Sequence, residues 1–121
     1  MTTILLLHGP NLNLLGLREI RNLALTVFMS RFYEGGAGHG HYRRENLWAH
    51  SVGVAVASRL VARVCGRSAC EEAYIAGLLH DLGLILLDQT LQRHFYKVID
   101  GIDEQTPTYI AESRILTFDH A

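Results

Sequence analysis

The chain has 121 residues, 49% hydrophobic and 19% charged, too apolar for a disordered polypeptide and of a length suited to one domain with one modest core. Its 11 Lys+Arg against 12 Asp+Glu give a formal charge of −1, which offers no electrostatic footprint for nucleic acid or an anionic membrane surface. Cys65 and Cys70 cannot build a secreted disulfide framework, so a reducing, cytoplasmic setting is expected.

Residues 3–8 contain the aliphatic run Ile4-Leu5-Leu6-Leu7, cut off by His8-Gly9-Pro10. It is too short for a signal peptide or a membrane span and reads as a short extended segment or orphan strand. With no sheet to join, such a strand is expected to pack over exposed helix faces or to pair with a second copy of the chain. From Leu17 the spacing becomes helical, and Ile20, Leu23, Ala24, Val27, Phe28 and Phe32 mark one stripe ending near Glu34. Gly35, Gly36, Gly38 and Gly40, interleaved with His39 and His41, predict a loop with both imidazoles solvated. A second helix is expected over about 43–65, with Leu47, Val54, Ala57, Leu60, Val61 and Val64 inward and Gly66 as its stop.

Ser68-Ala69-Cys70-Glu71 matches a capping box and predicts the start of a third helix, which carries Ala73, Ile75, Ala76, Leu78 and Leu79 to His80-Asp81. A short aliphatic stretch to Leu87 follows. A fourth helix is expected over 91–99 and is broken by Gly101. A fifth runs toward Thr117, with Thr106 as its N-cap and Pro107 in its first position.

Histidines and aspartates carry whatever chemistry the chain has. His80-Asp81 ends one apolar helix, and His50 lies on another about 30 residues earlier. Two imidazoles and a carboxylate suit Fe, Mn, Zn or Mg, and such a cation lowers the pKa of bound water and clamps phosphate oxygens. The plainer reading is a His-Asp dipeptide of chance occurrence and a half-buried His50 satisfied by its neighbours. Trp48, beside His50, reads as the filler of a helix junction.

Several of these segments, in order, resemble an HDOD domain. They are Leu15-Gly16-Leu17-Arg18-Glu19-Ile20-Arg21-Asn22-Leu23-Ala24, Leu47-Trp48-Ala49-His50-Ser51, Ala76-Gly77-Leu78-Leu79-His80-Asp81-Leu82-Gly83, Glu112, and Phe118-Asp119-His120-Ala121. The resemblance spans about residues 14–121, with the helical domain proper over 17–121. It implies an all-α, HD-like helical bundle related to HD phosphohydrolases, acting in signal transduction or regulation, with a protein or signalling-domain partner and no catalytic residue assigned. It also places His50, His80 and Asp81 at three positions of the H…HD…D metal signature. The distal aspartate has no clear match, since Asp88, Asp100, Asp103 and Asp119 all qualify by composition. A weakened site is implied, and any activity would be metal-dependent phosphoester hydrolysis.

The first sixteen residues, from Ile4 through Asn11 to Gly16 and on to Arg18-Glu19, resemble the start of a type II 3-dehydroquinate dehydratase. That likeness would put Asn11 and Arg18 in an active site, but the proline and catalytic tyrosine that should follow are absent, and Arg18 alone cannot abstract a proton. The two resemblances together imply a chimera: a leader over 1–16, not a domain, joined to a partial helical domain. Asn11 and Arg18 then read as a turn residue and a solvated helix-start residue. A clipped helical core would leave apolar faces exposed and favour self-association.

Overall fold

The computed structural model describes residues 16–120. Six α-helices follow one another: α1 (Leu17–Ser30), closed by a 3-10 turn over Arg31–Tyr33, α2 (Arg44–Val64), α3 (Cys70–Leu79), α4 (Leu82–Thr90), α5 (Gln92–Asp100) and α6 (Thr108–Leu116). Among the described residues there is no strand, only the isolated bridges His39–Tyr42 and Asp103–Thr106, so the class is all-α as expected. The segment read as an orphan strand, and most of the leader, lie outside the described residues.

The principal interface joins α2 and α3. Its closest point is Gly77, where an added Cβ would stand 2.8 Å from Ala55 Cα and 2.9 Å from the Val54 carbonyl oxygen. Only glycine permits backbones to approach so nearly. Around this contact Met29, Tyr33, Ala55, Leu78 and Ile85 form one buried cluster, with Trp48 packed on it. The Trp48 and Tyr33 rings lie 5.1 Å apart, so the tryptophan fills a helix junction. A second cluster, Leu87, Phe95, Val98, Ala111 and Leu116, joins α4, α5 and α6. Helix α4 therefore serves two cores, contributing Ile85 to the first and Leu87 to the second.

That double duty explains why α4 reads only as an aliphatic stretch in sequence. Leu82-Gly83-Leu84-Ile85-Leu86-Leu87 has no polar face to mark a helical period. The inward face of α1 is also rotated from the expected stripe. Ile20, Ala24 and Phe28 are exposed, while Asn22 and Met29 are buried. Asn22 takes its core position because its Nδ2 donates to Glu71 Oε2 at 2.8 Å and to the Glu71 carbonyl at 3.2 Å. Arg59 Nε reaches Glu71 Oε1 at 3.2 Å, which makes a polar bolt through α1, α2 and α3.

On α2, Leu47 and Val54 are half-buried, but Ala57, Leu60, Val61 and Val64 face solvent, Val64 at 79% exposure. The inner face there is Leu47, Ser51 and Ala55, because the Gly77 contact sets the rotation of the helix. Gly66 ends α2 with φ +66°, as expected. The capping box does not form: α3 starts at Cys70 behind Ala69, with no side-chain cap, since Glu71 is committed to Asn22 and Arg59. At α6, Pro107 rather than Thr106 occupies the cap; its carbonyl accepts from Ile110 and Ala111, while Thr106 N donates to the Asp103 carbonyl in the preceding turn.

The glycine-rich loop is docked through His39, whereas His41 is exposed, as expected. Gly38, at φ +69°, sits where a Cβ would come within 2.6 Å of the Tyr42 carbonyl oxygen. His39 stacks on Tyr96 with centroids 4.3 Å apart and its Nε2 donates to Asp100 Oδ1 at 2.8 Å. Beside it, Asp88 is buried and accepts from Arg44 Nε at 2.5 Å and Tyr42 Oη at 3.1 Å. Burial first, and then the Asp88 charge, push the Tyr42 hydroxyl well above its usual range, while the hydrogen bond to Asp88 raises Arg44. Tyr33 is raised too, chiefly by burial.

Replacing Gly77 by Ala should destabilise the domain by about 1–3 kcal/mol in urea unfolding, reversing the stabilisation of roughly 0.5–1 kcal/mol that alanine brings to an ordinary helix interior. Tyr33 and Tyr42 hold their protons more tightly folded than unfolded. Their contribution is thus intact below the ordinary tyrosine value of 10.0 and is lost as pH rises beyond it, because only the unfolded chain releases the protons. Melting temperature should fall steeply above pH 10, and less steeply in Tyr42→Phe.

Candidate metal centre

His50 projects from the middle of α2, while His80 closes α3 and Asp81 opens α4. Aspartate is a favoured helix cap, yet Asp81 caps nothing with its side chain. Its Oδ2 instead lies 3.0 Å from His80 Nε2 and 3.5 Å from His50 Nε2, and the two imidazole nitrogens are 3.3 Å apart. The α2–α3 contact brings the three residues together.

The ring of His80 is fixed by Nδ1, which donates to the Gly77 carbonyl at 2.8 Å. Nε2 is thereby left facing Asp81 Oδ2 and His50 Nε2. Donor atoms bound about 2.0–2.2 Å from one cation stand roughly 2.9–3.5 Å from each other, and the three separations, 3.0, 3.3 and 3.5 Å, fit that range. Neutral nitrogen and carboxylate oxygen form a donor set for Fe, Mn, Zn or Mg. Asp81 is largely buried whereas the His50 side chain is 56% exposed, so one side of the cluster opens to solvent. The Asp81 charge also helps to raise the Tyr33 hydroxyl, behind burial as the main cause.

None of Asp88, Asp100 and Asp103 joins the cluster. Asp88 pairs with Arg44 and Tyr42, Asp100 with His39, and Asp103 accepts from Gln105 N at 2.8 Å. Among the described residues the group that can hold a metal is His50, His80 and Asp81, and Asp119 is not in it. A neighbour that sequence reasoning left without a role is His120, whose Nε2 lies 3.8 Å from Asp81 Oδ1 and whose Nδ1 bonds buried Glu112 at 2.5 Å. Thr117, at φ 68°, turns the chain back after α6 and brings His120 there. A β-branched residue is an uncommon choice for that conformation, so nothing in the sequence announced the reversal.

A family model described as HDOD domain matches residues 10–121. No curated protein and no solved structure matches the chain. The matched range includes residues 10–16, which the dehydratase-like leader also claimed, and Asn11 lies outside the described residues. Arg18 is an exposed residue at the start of α1, 3.8 Å from Glu72.

Gly83 keeps the C-terminal segment in place, since a Cβ there would come within 2.5 Å of the His120 carbonyl oxygen. Gly83→Ala should therefore lower stability by about 1–3 kcal/mol and shift the NMR resonances of the His120 ring, while those of Trp48 stay where they are.

Proposed function

We propose that this chain, which belongs to the HDOD domain family, is a regulatory module of signal transduction that carries a divalent-cation site at His50, His80 and Asp81. The single observation behind the cation is the convergence of three donor atoms at 3.0–3.5 Å, drawn from α2 and the α3–α4 junction. The Gly77 carbonyl orients the His80 ring through Nδ1, which leaves Nε2 available to a cation, and Asp81 supplies the negative charge. A divalent cation bound there would bring the ability to lower the pKa of water and to polarise phosphate oxygens.

The surroundings favour a sensing or structural cation over turnover. Asp88, Asp100 and Asp103 are each engaged elsewhere, so none of them completes the H…HD…D signature. The exposed apolar face of α2, with Leu60, Val61 and Val64, supports a protein partner or self-association as the means of output. No helix is long and apolar enough to cross a membrane among the described residues.

Protein purified without chelator should retain a divalent metal by elemental analysis, and His80→Ala should lose it at an unchanged helical circular dichroism spectrum. Equal, negligible metal in both would reduce the cluster to a structural His–Asp contact.

A further inference from the structure

Helix α2 turns to solvent a face built of uncharged side chains. Val56, Leu60 and Val64, each more than half exposed, recur every four residues along it, and Ala49, Gly53 and Ala57 run beside them in the adjoining row. Apolar area of this kind is favourable to bury, and no element among the described residues buries it. Gly53 has no reason inside the chain to be glycine. At Gly77 the missing Cβ admits the backbone of Ala55, whereas a Cβ on Gly53 would meet nothing within 4 Å. Glycine in an exposed helix interior weakens the helix relative to alanine, so the bare Cα of Gly53 has a use only where another chain comes close to it.

We infer that this face pairs with the same face of a second copy of the chain, the two α2 helices running antiparallel about a two-fold axis near Val56 and Ala57. The inference rests on the reading of the α2 face as the route of output and names its occupant. Side-chain size selects both the second copy and the direction. The face is small in its first half, at Ala49 and Gly53, and large in its second, at Leu60 and Val64. Antiparallel pairing sets Leu60 of each copy by Gly53 of the other and Val64 by Ala49, so each half fills the other and the symmetry repeats every contact. A parallel pair would set Leu60 against Leu60 and leave a gap between the glycines. Charge agrees with size. Glu45 lies in the first turn of α2, Arg63 in the last and Arg67 just beyond it. All three are exposed, and none forms an ion pair among the described residues. The antiparallel arrangement brings the Glu45 end of each helix beside the Arg63 and Arg67 end of the other, with the helix dipoles opposed.

The test is sedimentation equilibrium of the full chain over a concentration series, with a helical circular dichroism spectrum of each variant. The wild-type mass should pass from 13.5 kDa to twice that value as concentration rises. Gly53→Leu, whose side chain has open space in the single chain, should keep its helical spectrum and weaken the dimer roughly tenfold or more, as overpacking of a close contact does. Leu60→Glu should leave a monomer. Glu45→Arg and Arg67→Glu should each shift the equilibrium toward monomer at low salt, and the two combined in one chain should bring the dimer back. A wild-type mass that stays at 13.5 kDa throughout overturns the pairing and leaves the cation reading, which elemental analysis of His80→Ala decides, where it stood. Dimers that survive both Gly53→Leu and Leu60→Glu overturn it too, because the contact then lies elsewhere. A double charge reversal that fails to recover the dimer overturns the antiparallel direction.

Discussion

The depth at which α3 presses into α2 governs the rest of the molecule. Gly77 lies on the backbone of Ala55 and Val54, closer than any side chain would allow. His80 sits three residues beyond Gly77, and His50 five before Ala55, so both imidazoles lie within a turn or so of that contact. Sites of this kind need their donors within about 0.5 Å of the working geometry. Even a methyl-sized separation of the two helices exceeds that tolerance and would part the Nε2 atoms. The same glycine also offers its carbonyl to His80 Nδ1, so one residue sets both the distance between the rings and the orientation of one of them.

Buried polar groups then fix which surfaces meet. The contacts of Glu71 with Asn22 and Arg59 are satisfied in only one register of α1, α2 and α3. Likewise Asp88 finds Arg44 and Tyr42 only when the start of α2 lies beside α4. Removing one partner from such a pair strands a buried charge, which costs far more than losing an apolar contact of equal size. Apolar packing supplies most of the attraction, and these polar contacts decide the alignment.

Most helix positions were legible because the period of the apolar residues and the terminators Gly66 and Gly101 act locally. Faces and caps were less so. Asn22 and Thr26 look like solvent positions until Glu71 and Tyr74, some 48 residues or more away, provide their partners. Glu71 reads as the far end of a capping box, yet tertiary pairing claims it. The first six residues of α4 are all apolar or glycine because Ile85 and Leu87 serve two clusters, and a pattern without contrast carries no period. At the candidate metal centre, His50, His80 and Asp81 were singled out by their order in the HDOD-like motifs, whereas the position of His120 depends on a left-handed threonine that local propensity disfavours.

Helix α4 lends Ile85 to one cluster and Leu87 to the other, two residues apart. Neither cluster can be repacked alone, because a change of volume on one side shifts the rigid rod on which the opposite side rests. The halves of this small domain are thus tied in inheritance as well as in space: a substitution tolerated by the first must also suit the second, which narrows the routes along which either can drift.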